Sequence, residues 1–204
     1  MNNNVSRVDV LPRTGSGLID SRAISTKKIL PEDIEINVET IRTSLGYTIQ
    51  GDLTEEERQI AATDLFSDPI IEHHSLDGSI AAGLLPEIGY SDITIQVGFK
   101  PGVTDNRAMA AEDGLRTLFP RRKTSVASTI SYHFWFGKNT PEIEPIIALL
   151  HNPMLEQCAI LDSERTIEKL IQFPVLPAQN QRNPESIDLE VGDDELLDIS
   201  ERGL

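Results

Sequence analysis

Two aspartates, Asp20 and Asp105, occupy the same place in two similar stretches of this sequence. A pair of carboxylates facing each other across a symmetry axis could act as general acid and base. However, each aspartate directly precedes a helical pattern, which is the position of an N-cap. An arginine follows each of them two residues later, Arg22 and Arg107. We therefore expect the aspartates to cap helices and the arginines to meet a carboxylate or a helix C-terminus between the two stretches.

The side chains that could act as nucleophiles or metal ligands are few and scattered. Cys158 lies in the middle of a predicted strand, whereas a nucleophilic thiol needs surroundings that lower its pKa. His73 and His74 are neighbours on a predicted strand, so their side chains point to opposite faces and cannot chelate one metal. His133 and His151 have no cysteine or carboxylate at ligand spacing. The sequence thus predicts no catalytic, cofactor-binding or metal-binding residue.

Three further features have both a structural and a functional interpretation. The stretches Gly15–Gly17 and Lys100–Gly102 precede predicted helices, where backbone N–H groups could bind an anion; tight turns explain the glycines equally well. The basic cluster Arg121–Lys123 is expected in a solvated loop, with a phosphate or partner contact as the alternative. Trp135 points away from its aromatic neighbours on a predicted strand, towards either a packing element or a partner.

The most informative pattern in the sequence is an internal repeat. Gly17–Ala23 resembles Gly102–Ala108 at an offset of 85 residues, and Leu65–Glu72 resembles Leu149–Glu156 at an offset of 84. The two pairs occur in the same order. This period is longer than those of solenoid repeats, and two copies are too few for one. We therefore expect a pseudo-symmetric pair of units, an intrachain version of a two-fold homodimer.

The order of predicted elements in each copy is β-α-β-α-β. We predict a first unit over residues 5–77, a linker over 78–92, a second unit over 93–162 and an acidic C-terminal linker over 163–204. A unit of this size buries little surface alone, so each copy gains by packing against the other. The expected fold is α+β, with two units related by a pseudo-two-fold axis, sheets packed together and helices outside.

Local signals place the individual elements. In the first copy, they predict a helix from Asp20 to Leu30, a strand from Ile34 to Ile49 and a helix opened by the Thr54–Glu57 capping box. In the second copy, they predict strands at Ile93–Phe99, Val126–Phe136 and Met154–Leu161, a helix from Asp105 to Phe119 and a helix starting at Thr140 or at Pro145. A short helix is expected at Ser163–Ile171 and another at Asp193–Leu204.

Composition restricts the partners and the location of the protein. The net charge is −15 and the sequence pI is near 4.6, which argues against nucleic acid or an anionic membrane as partner. A single cysteine excludes an intrachain disulfide and suggests a reducing compartment. The sequence has no apolar run of membrane-spanning length and its start lacks the pattern of a signal peptide, so we expect a cytoplasmic protein.

Several motifs together are similar to one known family. They are Lys100–Asp105 with Ala108 and Leu115, Gly51–Glu57 with Leu65 and Asp68–Pro69, and the tail Asp193–Leu204. These motifs resemble the PurS-like small-subunit domain of phosphoribosylformylglycinamidine synthase, as it occurs in tandem at the N-terminus of long-chain fused forms. The sequence departs from the family at Asn106–Arg107, where proline and a later glycine are usual.

The resemblance implies a role in purine biosynthesis. The whole enzyme is a ligase that uses ATP, magnesium and glutamine to convert formylglycinamide ribonucleotide to its amidine. The PurS-like part is expected to be non-catalytic, to hold the synthetase and glutaminase parts together and to help form the ammonia path. No ATP, magnesium or glutaminase residue of the family has a counterpart in this sequence. Two alternatives stay open: a small-molecule-binding regulatory module at the pseudo-dyad, and a stand-alone enzyme using the cleft between the copies.

Overall fold

The computed structural model describes residues 5–30, 38–137, 141–162 and 169–171, together with Pro174, Gly192 and Leu197. Within them the fold is α+β. The strands are β1 (Val5–Pro12), β2 (Val38–Gly51), β3 (Glu72–Ser75), β4 (Leu84–Leu85), β5 (Gly89–Tyr90), β6 (Ile93–Phe99), β7 (Thr124–Phe136) and β8 (Glu156–Leu161). The α-helices are α1 (Ser21–Ile29), α2 (Glu55–Ile60), α3 (Asn106–Leu118) and α4 (Glu144–Leu150).

Six of the strands form one sheet in the order β3-β1-β2-β7-β6-β8, in which every neighbouring pair is antiparallel. The expectation of separate sheets packed together is wrong, because the two halves join edge to edge through β2 and β7. These are the two longest strands, and pairing them satisfies backbone groups that would otherwise form two exposed edges. We call the part from β1 to β3 the first half and the part from β6 to β8 the second half.

The register of β2 and β7 places the centre of the sheet at one residue pair. Leu45 lies opposite Ile130, and these residues are 85 positions apart, the offset of the sequence repeat. The outer pairings correspond as well: Val8 lies opposite Tyr47 in the first half, as Ile95 lies opposite Tyr132 in the second. The element order and the strand registers of the two halves are therefore related by an axis through the Leu45–Ile130 pair.

The helix ends follow the local sequence signals. Asp20 caps α1 and Asp105 caps α3, and Thr54 and Glu57 form both bonds of the predicted capping box. Pro145 lies in the first turn of α4, where a missing N–H is tolerated, in agreement with the later of the two predicted starts. The sequence did not predict that α2 continues as a wider π-helical turn over Ala61–Phe66.

All four helices lie on one face of the sheet, and the first helix of each half belongs to a hydrophobic cluster that includes strands of the other half. The cluster around α3 joins Ala108, Ala111 and Leu115 to Val8, Val10 and Ile49 of the first half. The cluster around α1 joins Ala23 to Ile95, Tyr132, Phe134 and Ile146 of the second half. Gly114 lets α3 pack closely against the first half, since a Cβ there would lie 2.5 Å from the Leu65 side chain. The two halves thus share their hydrophobic core.

The other face of the sheet is covered by segments that connect or follow the halves. The segment 78–92, expected as a linker, forms the β4–β5 hairpin and buries Ile80, Ala81 and Leu85. Leu170 is buried with Ala81 and Leu161. At β6 both faces of the sheet are therefore covered, which explains why this strand is buried at nearly every residue instead of alternating.

Three predicted elements fall partly or wholly outside the described residues. They are the start of the strand at Ile34, most of the helix Ser163–Ile171 and nearly all of the acidic tail Asp193–Leu204. Among the described residues, no helix has the length and apolar character that crossing a membrane requires.

Candidate functional site

The two aspartates singled out in the sequence each anchor a helix to a central strand. Oδ1 of Asp20 accepts hydrogen bonds from the Ala23 backbone N–H at 2.9 Å and from the Thr43 hydroxyl at 2.8 Å, and Oδ2 accepts one from the Thr43 N–H at 2.7 Å. In the second half, the corresponding bonds to Asp105 come from Ala108 at 2.9 Å and from the Ser128 hydroxyl and N–H at 2.9 and 2.8 Å. The expectation that both aspartates cap helices is confirmed, and each also ties its helix start to β2 or β7.

Two glutamates have equivalent structural tasks at the outer ends of the sheet. Glu72 accepts a hydrogen bond from the backbone N–H of Asp68 at 2.9 Å, and Glu156 accepts one from Asn152 at 2.7 Å. Each bond closes the turn that leads from a helix into an edge strand. These two carboxylates are therefore already used as acceptors for backbone groups.

An open groove lies on the helix-covered face between the starts of α1 and α3. Leu45 and Ile130 form its floor and are half-buried, whereas Ile49 and Phe134 on the same face are completely buried. We use the name dyad groove for the half-buried Leu45 and Ile130 together with Arg22, Arg107, Tyr47 and Tyr132, since both arginines act electrostatically on both tyrosines. A cavity of about 190 Å³ opens on its second-half side, lined by Arg107, Ser128, Ile130 and Glu156 among others.

The polar side chains of the dyad groove have few partners. Arg22 makes no hydrogen bond or ion pair within the described part of the chain, and Arg107 makes one long bond, 3.4 Å to the Ser128 hydroxyl. The expectation that these arginines meet a carboxylate or a helix C-terminus is therefore wrong for the described residues. The reason is that the nearby carboxylates bond to backbone N–H groups instead.

The two tyrosines of the dyad groove occupy equivalent positions, 85 residues apart. Burial raises the pKa of Tyr47 and of Tyr132, and the positive charges of Arg22 and Arg107 act in the opposite direction on both phenols. Both hydroxyls are therefore protonated at neutral pH. Tyr47 also packs against Phe66, with ring centroids 4.5 Å apart.

An ion pair is buried on the opposite face of the sheet in the first half. The Asp9 side chain is completely buried, and Nε of Arg7 donates to its two oxygens at 2.9 and 3.0 Å. Nη1 of Arg7 donates to the Thr48 hydroxyl at 3.1 Å, and Nη2 donates to the Thr129 hydroxyl at 2.9 Å. Burial raises the pKa of Asp9 and the Arg7 charge opposes that rise. This network crosses from the first half to the second.

The corresponding positions of the second half carry a different hydrogen-bonded network, which includes a histidine. The ring of His133 is completely buried, with Nε2 2.9 Å from the Ser44 hydroxyl and Nδ1 2.9 Å from the Thr94 hydroxyl. Gln96 donates to the Ser131 hydroxyl at 3.2 Å and accepts from the backbone N–H of Ile171 at 2.6 Å. Sequence reasoning missed both networks. The sequence does show polar residues at every second position of β1, β6 and β7. This pattern ordinarily indicates a face exposed to solvent, so it did not predict buried networks.

The remaining candidate residues, Cys158 and three histidines, lie in surroundings that do not favour catalysis or metal binding. Burial raises the pKa of the Cys158 thiol, which disfavours the nucleophilic thiolate. His73 lies 3.1 Å from a carboxylate oxygen of Glu87, while His74 lies 3.0 Å from the Ser67 hydroxyl. Nδ1 of His151 donates to a backbone carbonyl of α4 at 2.8 Å. Across the described residues, no group of three or more His, Cys, Asp or Glu side chains could hold a metal ion.

The glycine turns, the basic cluster and the tryptophan also take part in packing. Gly15, Gly17 and Gly102 have φ angles of 76°, 85° and 86°, so their backbone conformations favour glycine, in agreement with tight turns. In the basic cluster, Arg122 pairs with Glu57 at 2.9 Å and so joins the second half to α2. Trp135 packs with buried residues of segment 78–92 and donates to a backbone carbonyl at 2.9 Å.

Comparison with known proteins does not add a family to these observations. No model of a known protein family matches the chain, and no curated protein matches it either.

Proposed function

We propose that this chain is a non-catalytic assembly domain of phosphoribosylformylglycinamidine synthase, made of two PurS-like units that arose by duplication. The observation that carries the proposal is the repetition of element order, strand register and aspartate caps about the Leu45–Ile130 pair. A tandem that replaces a two-fold small-subunit dimer requires this arrangement. The motifs that resemble the family lie at the repeated caps and at the start of α2.

The use of the ionisable side chains supports a structural task. Asp20 and Asp105 at the helix starts and Glu72 and Glu156 on the edge strands each accept a hydrogen bond from a backbone N–H. A general base needs a free acceptor within reach of its substrate, and these carboxylates are committed to helix starts and turns. In this proposal ATP, magnesium and glutamine act in the synthetase and glutaminase parts, and the chain holds these parts in position.

The outer face of α1 is the contact surface that we assign to the synthetase part. Ile19, Ile24 and Ile29 are 69 %, 47 % and 51 % exposed there, and α1 has only nine residues. On α3, the position equivalent to Ile24 is Met109, which is also exposed, but Thr104 and Gly114 stand at the positions equivalent to Ile19 and Ile29, and Gly114 packs against Leu65. The two helices thus differ in how much apolar surface they leave for a partner.

Reconstitution of the enzyme tests the proposal. The purified chain is mixed with the synthetase and glutaminase polypeptides of the same source, and complex formation is followed by analytical ultracentrifugation. Glutamine-dependent amidation is measured in parallel. We expect a complex whose glutamine-dependent activity needs the chain. The variant Ile24→Asp should weaken the complex at least tenfold, whereas the matched variant Met109→Asp on α3 should leave it unchanged. Absence of any complex overturns the assembly role.

The dyad groove favours a second candidate function, a regulatory module that binds a small molecule at the axis. Its support is the pair of arginines that the described residues leave largely without partners. The two functions are separable, because assembly requires the outer face of α1 and ligand binding requires the groove.

A further inference from the structure

We propose that the second half binds an alkylguanidinium group, supplied by a free small molecule or by an arginine side chain of a partner, in a cavity between α3, β7 and the loop 100–104. The inference goes beyond the assembly role and does not depend on it, since binding is measured on the chain alone.

The cavity has the size and the lining of a small-ligand site. Its volume is about 310 Å³, at the lower end of the roughly 300–1,000 Å³ of ordinary small-molecule pockets. Most of its wall is apolar and includes Phe99, Val103 and Ile171, while Asp105 and Glu112 contribute carboxylates. A ligand with a short apolar chain and one charged end matches such a wall.

The internal repeat shows what occupies the equivalent place in the first half. Thr43 and Ser128 donate to the two equivalent aspartate caps, so the residues that precede them, Arg42 and Ala127, are equivalent as well. Ala127 lines the cavity. Where the second half has a methyl group beside an open space, the first half therefore has a complete arginine side chain.

Arg42 is held firmly in its place. Its guanidinium group donates to the Thr14 hydroxyl at 2.6 Å and to the Pro12 carbonyl, and its Nε lies 3.8 Å from Oδ2 of Asp20. The side chain is only 13 % exposed. It joins β2 to the loop that precedes α1, a contact that the second half lacks at Ala127.

Two acceptors that surround Arg42 have counterparts in the wall of the cavity. Asp105 is the equivalent aspartate cap, and the registers of the edge strands give Phe99 in β6 the place of Pro12 in β1. The Phe99 carbonyl accepts one bond from Gln157 at 3.0 Å, and a carbonyl oxygen has two lone pairs. A ligand guanidinium group in the cavity thus meets a carboxylate and a backbone carbonyl, as Arg42 does.

The charges in the wall favour a cation over an anion. Glu112 replaces Lys27, the residue 85 positions earlier on α1, and one of its oxygens accepts from the Val126 N–H at 2.7 Å. Lys100 also lines the cavity, but its ammonium group donates to the Pro153 carbonyl. The charged groups of the described wall are therefore two carboxylates and one ammonium group that has its own partner.

Two arginines near the cavity limit the affinity. Arg7 donates to Thr48 and Thr129, which line the cavity, although Asp9 compensates its charge. Arg107 lines the adjoining cavity of 190 Å³. We therefore expect weak binding, with a dissociation constant on the order of 1 mM at moderate salt.

The test is an NMR titration of the full 204-residue chain labelled with ¹⁵N, at constant ionic strength. Butylguanidine represents a free small molecule, and acetylarginine methylamide represents an arginine side chain of a partner. Acetylcitrulline methylamide is the control, because a neutral urea group replaces its guanidinium group.

The variants test the cavity and its charge separately. Ala127→Arg supplies the side chain that the first half has at Arg42. Glu112→Gln removes one carboxylate from the wall, and Asp113→Asn is its matched control, because Asp113 is exposed on the same helix and pairs with Arg116. Circular dichroism verifies that each variant is folded.

We expect both guanidinium compounds to shift the backbone amide resonances of Val103 and Ala127, and the citrulline compound to leave them in place. Ala127→Arg should weaken binding by roughly tenfold or more, because its own guanidinium group fills the cavity. Glu112→Gln should weaken binding about fivefold, and Asp113→Asn should leave it unchanged. Tighter binding of butylguanidine identifies a free small molecule as the source, and tighter binding of acetylarginine methylamide identifies an arginine side chain of a partner.

Three results overturn the proposal: no shift at Val103 and Ala127 with either guanidinium compound, equal binding of the citrulline compound, or undiminished affinity in Ala127→Arg. If Ala127→Arg does not fold, the comparison of Glu112→Gln with Asp113→Asn decides, and equal affinities of these two variants reject the site.

Discussion

The two halves differ most on the face of the sheet that carries no helices. In the first half, Arg7 and Asp9 form a buried ion pair; in the second, the equivalent positions are Thr94 and Gln96, which bond to His133 and Ser131. The aspartate caps on the helix face, by contrast, repeat with hydrogen bonds that agree within about 0.1 Å. The helix caps and the shared core are thus the same in both halves. On the other face, the two halves use different buried polar residues, which is possible because these residues have hydrogen-bond partners.

We expect the largest loss of stability when the ion pair of the first half is broken. Arg7→Met leaves Asp9 buried without its partner, which should lower the free energy of unfolding by about 3–5 kcal/mol. Thr94→Val at the equivalent position removes the hydrogen bonds of its hydroxyl with Ser91 and His133 and should cost about 1–2 kcal/mol. Urea denaturation at pH 7 measures both.

The stability lost in Arg7→Met should depend on pH. Because the folded-state pKa of Asp9 is raised above its ordinary value, the carboxyl group favours folding when protonated, and this contribution is lost as pH rises through the folded-state pKa. The pKa should rise further in Arg7→Met, so the deficit of this variant relative to the parent chain should shrink between pH 7 and pH 4.5. A deficit that does not change with pH contradicts the assigned role of Asp9.

The next largest loss of stability is expected when a methyl group is added within the same network. A Cβ at Gly46 would lie 2.5 Å from the Thr129 hydroxyl and 2.7 Å from an Asp9 oxygen, so Gly46→Ala must displace the network and should cost about 2–3 kcal/mol. The equivalent residue, Ser131, bonds to Gln96, and Ser131→Ala should cost about 1 kcal/mol. Thermal unfolding of the two variants tests the difference; equal losses would show that the first-half network is not tightly packed.

Removing either aspartate cap should lower the stability by a similar amount. Asp20→Ala and Asp105→Ala each remove three equivalent hydrogen bonds, and each loss should cost about 1–2 kcal/mol. Asp20→Ala also removes an ion pair with Arg42 at 3.8 Å, so its urea midpoint should be equal to that of Asp105→Ala or slightly lower. If one variant is as stable as the parent chain while the other is not, the helix starts are not equivalent.

We expect the smallest loss of stability from a change in segment 78–92, where it forms hydrogen bonds to the first half. Glu87 accepts hydrogen bonds from the Thr14 N–H and from His73, and these bonds lower its pKa to about 2. Its folded-state pKa lies below its ordinary value of 4.5, so its contribution to stability is present above pH 4.5 and is lost as pH falls towards 2. Glu87→Gln should lower the melting temperature slightly at pH 7 and leave it unchanged near pH 2. A difference that persists at pH 2 contradicts this assignment.

The sequence predicted the elements well because their signals are local. Asp20, Asp105 and the Thr54–Glu57 pair mark helix starts through bonds to residues three positions away, and alternation marks β6. How the halves join could not be predicted in this way. Edge-to-edge pairing and face-to-face packing both bury apolar surface, and the choice depends on which strands are left unpaired.

The candidate site was predicted only in part. The positions of Arg22 and Arg107 beside the axis follow from the repeat, but their lack of partners does not, because it depends on how the neighbouring carboxylates are used. The buried polar face was missed for a similar reason. Arg7 and Asp9 are typical of a solvated strand, and their burial depends on distant segments that carry no pattern of their own.

The most direct test of the account is an NMR measurement of contacts between β2 and β7 in the monomeric chain. Antiparallel pairing predicts cross-strand nuclear Overhauser effects between Thr43 and Tyr132, Leu45 and Ile130, and Tyr47 and Ser128. The account predicts all three within one molecule, centred on the Leu45–Ile130 pair. If these contacts are absent, or arise only between differently labelled molecules, the single intrachain sheet is contradicted.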